Sequence, residues 1–371
     1  MGMLSQTERR DTLDCAKGIL IFLIVVGHNH QLVDAFPSGR WFLYNWHVYS
    51  FFLISAFLPF RPHEPGFFLT RAVRYYVPFI LFFTLVWAST GGWDQPLEKV
   101  LAWLSAVVIG SADFLGDASG ARLYWFLPAL LGLTAIRWAI AKTGGWERYL
   151  LPVVAVCGFL FSGLLPDRIE PFIPLGLPIA LYALGPCLVF GAFMTYALAG
   201  SRFRLLTCGV LSVIVLAICT LIASLSPSTL VLAAFKYYDI RELHSLVVHA
   251  LLAIAACSAV VLLLALSVRP ALLAWLGRSS LLIYLSHQIF YSVLVRLLRR
   301  ASPDVLREHE VAVGLVLVFA TLVLSGAFAY CVTNIPRLRR ILTPRDLGDW
   351  LEGLGVRRVR NPSQSSVGGA P

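Results

Sequence analysis

The sequence predicts an all-α, polytopic membrane protein with about ten transmembrane helices. Of its 371 residues, 58% are hydrophobic and only 13% are charged, whereas about 25% of the residues of a soluble domain are charged. Many apolar runs reach about 18–25 residues, the length that an α-helix needs to cross a bilayer. The net charge of +10 does not indicate a nucleic-acid partner, because the basic residues lie in short loops between spans and in the tail.

The apolar runs place ten predicted spans along the chain. They cover residues 16–34, 42–60, 73–90, 123–140, 149–165, 175–198, 205–226, 244–267, 279–298 and 311–333. A further run, residues 97–110, is short and contains Glu98 and Lys99, which favours a weak re-entrant or interfacial helix. We expect one integral-membrane domain over residues 1–340, followed by a basic, partly disordered cytoplasmic tail over residues 341–371.

The charges of the loops predict the orientation. With ten spans both termini lie on the same side of the membrane, and the loops on that side are basic. These loops and the tail contain Arg61, Arg71, Arg74, Arg137, Lys142, Arg148, Arg202, Arg204, Arg269, Arg278 and the arginines after residue 336. The opposite loops are mostly acidic, except near Arg296, Arg299 and Arg300. Since cytoplasmic loops are enriched in Lys and Arg, we expect both termini in the cytoplasm.

The first predicted span contains ionisable residues on one helix face. Lys17 and His28 are eleven residues apart, so they lie about 20° apart around the helix and roughly 16 Å apart along it, with Asp14 within about 40° of the same face. Ionisable side chains in a span usually face a bundle interior or a water-filled cavity. We interpret His28 as a general base, because imidazole accepts protons near neutral pH. Asp14 is expected to pair with Lys17 one turn away.

Two further histidines fall at a depth similar to that of His28. His47 lies in the predicted span 42–60 and His287 in the span 279–298. Each is a candidate to position an acceptor or to polarise a donor. The structural alternative for both is a packed histidine that is hydrogen-bonded to a neighbour.

A basic pair opens the third span. Arg71 and Arg74 are one helical turn apart and therefore share a face. Together with Lys17 they would form a phosphate clamp, since Arg binds phosphate bidentately and Lys acts as a point charge. The alternative is ordinary anchoring by basic residues on the cytoplasmic side.

Aromatic and acidic residues cluster in the predicted outer loops, where they would suit a sugar acceptor. The candidates are Tyr124, Trp125, Tyr238, Asp239 and Glu242. The alternative is the aromatic belt that membrane proteins have at the bilayer interface. The cysteines show no metal-like spacing, and we expect no metal.

Five segments of the chain resemble the acyltransferase 3 family of integral-membrane O-acyltransferases, most closely its fucose 4-O-acetylase-like and exopolysaccharide O-acetyltransferase branch. The segments occur in the family's order and are RDTLDCAKG…VVGH (10–28), WHVYSFFLISAFL (46–58), RAVRYYVP (71–78), YWFLPAL (124–130) and LGRSSLLIYLSH (276–287). Ala56 stands where the family usually has Gly. Lys17 and His28 match the family's pairing of a basic residue and a histidine eleven positions later.

The resemblance implies O-acyl transfer, usually of an acetyl group, from cytoplasmic acetyl-CoA to a hydroxyl of a surface polysaccharide or lipid-linked oligosaccharide. It implies that His28 is catalytic and that Lys17, Arg71 and Arg74 bind the donor. We further expect a multi-pass protein of a bacterial-type inner (cytoplasmic) membrane. Two alternatives remain open: a succinyl or other acyl group, and a transporter or flippase, although many transporters have an internal repeat and we find none here.

Overall fold

A computed structural model of the chain describes residues 5–57, 60–89, 97–120, 122–162, 172–225 and 243–356. Within these ranges every regular element is a helix. The predicted all-α class is therefore confirmed.

The helices follow one another with short connections. Up to residue 120 the described chain forms α1 (Gln6–Gly27), α2 (His30–Ala35), α3 (Pro37–Tyr44), α4 (His47–Phe57), α5 (Phe67–Ser89), α6 (Leu97–Ile109) and α7 (Ala112–Ser119). After a 3₁₀ turn at Arg122–Trp125 the described chain continues with α8 (Phe126–Ala141), α9 (Glu147–Ser162), α10 (Leu177–Leu198), α11 (Arg202–Leu225), α12 (Leu243–Leu266), α13 (Ala271–Arg278), α14 (Ser280–Ala301), α15 (Pro303–Glu308), α16 (Glu310–Asn334), α17 (Pro336–Leu342) and α18 (Leu347–Gly353).

Seven stretches of the described chain are long and apolar enough to cross a bilayer. They are Phe67–Ser89, Arg122–Ala141, Pro174–Leu198, Arg202–Ile222, Leu246–Leu266, Ser280–Ala301 and Glu310–Asn334. Helices also occupy the three other predicted span positions, but α1, α4 and α9 fall short in length or in apolar composition. The chain is thus a polytopic helical membrane protein, while the count of ten spans and the cytoplasmic placement of both termini stay predictions.

The first helix begins earlier and ends earlier than residues 16–34. It begins at Gln6 because Ser5 and Glu8 form a capping box, in which each backbone N–H donates to the other's side chain. It ends at Gly27 because Asn29 caps the next helix and also donates to the carbonyl of Gly314 at 2.9 Å. An average of hydropathy detects the apolar run but not these polar caps.

The second predicted span, residues 42–60, is divided in the structure. Helix α3 ends at Tyr44, and α4 begins only at His47. The 11 residues of α4 extend about 16 Å, which is about half the thickness of the hydrocarbon core. The predicted weak helix near 97–110 is present as α6, whose 13 residues are also too short to cross a bilayer.

The C-terminal part of the described chain folds as two short helices. Arg340 of α17 forms ion pairs with Asp349 of α18 at 3.4 Å and with Glu352 at 3.5 Å. Residues 357–371, which include much of the predicted disordered tail, lie outside the described residues. The division of the chain at residue 340 stays a prediction.

Helices α1 and α13 approach each other through two glycines. A side-chain carbon at Gly277 would lie 1.7 Å from the carbonyl oxygen of Asp14, and one at Gly18 would lie 2.1 Å from the carbonyl oxygen of Leu273. No larger residue fits either position without a shift of the backbone. This contact holds α1 against the segment that leads into α14.

Gly277→Ala should therefore destabilise the protein, because its new methyl group overlaps a backbone oxygen of α1. Overpacking typically costs about 1–3 kcal/mol, occasionally more, and the Asp14 carbonyl is unable to move aside as a flexible side chain would. The check is the thermal unfolding midpoint of the detergent-solubilised protein. The matched control is Gly191→Ala in helix α10, where the new carbon meets no atom within 4 Å. Equal midpoints for the two variants would contradict the importance of the α1–α13 contact.

Candidate functional site

A cavity of about 590 Å³ lies between α1, α4, α5, α8, α13 and α14. Its volume is within the range of about 300–1,000 Å³ that is usual for small-molecule sites. One part of its lining is strongly basic and contains Lys17, Arg61, Arg71, Arg74 and Arg278. The predicted clamp residues Lys17, Arg71 and Arg74 thus come together in one cavity, although they belong to two helices that are far apart in sequence.

Only part of this positive charge is neutralised. Lys17 pairs with Asp14 at 2.5 Å, as the sequence indicated, and Arg61 pairs with Glu64 at 3.0 Å. Among the described residues, no ion pair joins Arg71, Arg74 or Arg278 to a carboxylate. Three guanidinium groups around one cavity provide the geometry and charge that bind phosphate groups.

Arg278 is a cavity residue that sequence analysis assigned only to a basic loop. It follows Gly277, which approaches the backbone of α1 at Asp14 and Gly18, and it lines the same cavity as Lys17. Helical spacing gave no signal for it, because the nine residues between Arg278 and His287 correspond to opposite faces of a helix.

The three predicted histidines also come together. The ring centroids of His28 and His287 are 5.2 Å apart. The ring of Tyr44 lies 6.2 Å from that of His28 and 5.3 Å from that of His47. Tyr44, which sequence analysis did not select, donates a hydrogen bond of 2.6 Å to the carbonyl of Gly27 and thereby fixes the contact between the end of α1 and α3.

The hydrogen bonds of the three rings determine which nitrogen bears the proton. His28 Nδ1 bonds to the carbonyl of Ile24 at 2.8 Å, His287 Nδ1 bonds to that of Tyr284 at 2.7 Å, and His47 Nδ1 bonds to that of Leu43. A carbonyl only accepts, so each Nδ1 must donate. In the neutral ring each Nε2 then has a free lone pair and acts as a base or a hydrogen-bond acceptor.

For two of these three histidines, the described part of the chain provides no hydrogen-bond partner to Nε2. His47 and His287 are buried, and within the described chain neither Nε2 has a hydrogen-bond partner. A buried polar atom without a partner is costly in a folded protein. These two atoms are therefore suited to bind a group that enters the site.

The three histidines do not line the cavity themselves, but residues that bond to them or adjoin them in the chain do. Its lining includes Ile24 and Tyr284, whose carbonyls accept the hydrogen bonds of His28 and His287, and also Val48, which follows His47. A molecule with its anionic part among the arginines would extend along an apolar wall towards the imidazoles.

Tyr124 and Trp125 lie beside the cavity and do not line it. Tyr124 is fully buried, and its hydroxyl donates to the carbonyl of Leu285 at 2.8 Å, while the hydroxyl of Tyr284 donates to the carbonyl of Leu123. These reciprocal bonds attach the 3₁₀ turn to α14. Trp125 stacks on Phe52, with ring centroids 6.1 Å apart.

The remaining three predicted acceptor residues lie outside the described part of the chain. They are Tyr238, Asp239 and Glu242.

Comparison with known proteins agrees with this geometry. A family model for an acyltransferase domain, that of acyltransferase 3, matches residues 10–330, most of the 371-residue chain. Searches of curated proteins and of solved structures gave no match. The matched range includes the basic cavity and all three clustered histidines. The chain therefore belongs to the acyltransferase 3 family and is a membrane acyltransferase.

Proposed function

We propose that the protein is an O-acetyltransferase that moves an acetyl group from cytoplasmic acetyl-CoA to a hydroxyl of a surface polysaccharide or lipid-linked glycan. The observation that supports this proposal is the cavity itself. Its lining contains unneutralised guanidinium groups together with Ile24, Tyr284 and Val48, which bond to or adjoin three imidazoles with a free Nε2 lone pair. A polyanionic thioester donor and a hydroxyl acceptor need these two kinds of group.

The basic residues bind the phosphate groups of the donor. Arg71 and Arg74 form bidentate hydrogen bonds with phosphate oxygens, and Lys17 contributes a point charge. Asp14 acts through Lys17, since the ion pair between them holds the ammonium group at the cavity wall. No metal takes part in this proposal.

His28 accepts the proton of the acceptor hydroxyl at Nε2. As the acceptor oxygen forms its bond to the acetyl carbonyl carbon, the bond between that carbon and sulfur breaks, and the imidazolium of His28 returns the proton to the departing thiolate. The hydrogen bond from Nδ1 to Ile24 keeps the ring in the tautomer that this step requires. A second route, in which His28 first accepts the acetyl group and then transfers it, uses the same Nε2.

His287 and His47 position the reacting groups around His28. The ring of His287 lies 5.2 Å from that of His28. His47 belongs to the same cluster because the ring of Tyr44 contacts both His28 and His47. Either residue polarises the thioester carbonyl when it is transiently protonated at Nε2. Through a bound water, either residue orients the acceptor hydroxyl. We assign binding of the sugar to Trp125, Tyr238, Asp239 and Glu242, on the side of the bilayer opposite to Lys17. The buried Tyr124 supports Trp125 by holding the 3₁₀ turn against α14.

This assignment implies a multi-pass protein of a bacterial-type inner membrane, with the basic part of the cavity open to cytoplasmic acetyl-CoA. Membranes containing the protein should transfer label from labelled acetyl-CoA to glycan, and cells that lack the protein should lose the mass of the acetyl group from their surface polysaccharide. If label were transferred only from succinyl-CoA or a longer thioester, the proposed acyl group would be that group and not acetyl. Absence of label from both glycan and protein would contradict the proposed function.

Substitution of His28 tests the proposed base. His28→Ala should lower the rate of acetyl transfer by about 10²–10⁴-fold, the usual contribution of a general base, with little change in thermal stability. The measurement is label incorporated into glycan per minute at saturating donor. His30→Ala is the matched control, because His30 is an exposed histidine two residues away. An active His28→Ala protein would remove His28 from the mechanism.

Substitution of Arg74 tests the donor site. Arg74→Gln should raise the KM for acetyl-CoA about tenfold or more, since a hydrogen bond to a charged group contributes about 1.5–3 kcal/mol, and should leave the KM for the glycan nearly unchanged. Arg202→Gln removes an exposed charge that does not line the cavity and serves as the control. A larger effect on the glycan KM would show that Arg74 does not bind the donor.

A further inference from the structure

A small recess adjoins the basic part of the cavity. It has a volume of about 50 Å³ and shares five lining residues with the cavity, namely Ser55, Phe67, Arg71, Tyr75 and Leu130. At roughly 10–15 Å³ for each water position, the recess holds about four water-sized groups. A single phosphate group, with its four oxygens, has a matching size.

Arg137 adds a second guanidinium to this recess. It is half-buried in helix α8, donates to the carbonyl of Ala56 at 3.1 Å, and lies 4.3 Å from the ring centre of Phe60. In the part of the chain that the structure describes, no ion pair neutralises it. Its guanidinium group therefore contributes positive charge to the lining of the recess.

Hydroxyl groups complete the recess. The hydroxyl of Tyr75 accepts a long hydrogen bond of 3.5 Å from Arg71, so its own proton is available for donation to an anion. Ser55 provides a second hydroxyl in the lining. A third hydroxyl in the lining, that of Thr134, already donates to the carbonyl of Leu130 at 2.8 Å. Two guanidinium groups and the hydroxyls of Tyr75 and Ser55 around a recess of this size form a site for an anion with a high charge density.

We propose that this recess binds the 3′-phosphate of the CoA donor between Arg71 and Arg137, an assignment that rests on the proposed function. The 3′-phosphate is a terminal monoester with three free oxygens and nearly two negative charges, so it fits a small recess. The diphosphate of CoA has substituents at both ends and does not. Arg74, Lys17 and Arg278 in the larger cavity are then available for the diphosphate.

The test compares acetyl-CoA with acetyl-3′-dephospho-CoA, which lacks only this phosphate. The wild-type protein should have a kcat/KM at least about tenfold higher with acetyl-CoA. Arg137→Gln should bring this ratio close to one by lowering only the value for acetyl-CoA. Arg74→Gln, which alters the larger cavity, should lower both values and preserve the ratio.

Arg137 also donates to the carbonyl of Ala56, so Arg137→Gln could lower activity by disturbing the fold. A second variant separates this effect from loss of phosphate binding. Tyr75→Phe keeps the ring and removes one donor from the recess, and it should reduce the ratio by about threefold to tenfold. A wild-type ratio near one, or an unchanged ratio in both Arg137→Gln and Tyr75→Phe, would overturn the recess assignment and leave the proposed function intact. Failure of the wild-type protein to use either thioester would instead refute the proposed function.

Discussion

The close contact between the backbones of α1 and α13 is the constraint on which the site depends. Gly18 and Gly277 leave no room for a side-chain carbon, so the two segments touch along their main chains. Lys17 and Arg278 each adjoin one of these glycines in the chain, and both line the cavity. Further along, the chain from α13 continues into α14, and the ring of His287 comes within 5.2 Å of that of His28. One contact between glycines thus aligns both the basic residues and the imidazoles.

The basic cavity has an electrostatic cost for folding. Like charges around a space of low polarity repel one another, and in the described residues only Lys17 and Arg61 among the lining cations have a carboxylate partner. Functional sites often retain such destabilising arrangements because they are needed for binding. An anionic donor that neutralises Arg71, Arg74 and Arg278 would relieve this repulsion, so ligand binding and stability are expected to be coupled.

Much of the architecture followed from hydropathy, and the exceptions have local causes. Apolar runs located the long helices, but the capping box at Ser5 and the bonds of Asn29 determine where α1 begins and ends. Helical periodicity correctly placed Asp14 beside Lys17. Periodicity describes only one helix at a time, however, so it did not select Tyr44, Arg278 or Arg137, whose positions depend on contacts between helices.

The sequence by itself determined the all-α membrane class, the pairing of Asp14 with Lys17 in the first helix, and the resemblance that leads to the acyltransferase family. These follow from composition and from spacing within short segments, because lipid favours long apolar helices and a helix repeats every 3.6 residues. Only the tertiary structure decided which groups come together: three histidines with Nε2 unprotonated, the basic residues around one cavity, and the two arginines that line the recess, Arg71 and Arg137. The physical reason is that these distances join residues up to 259 positions apart, as between His28 and His287, and side-chain packing between helices sets them.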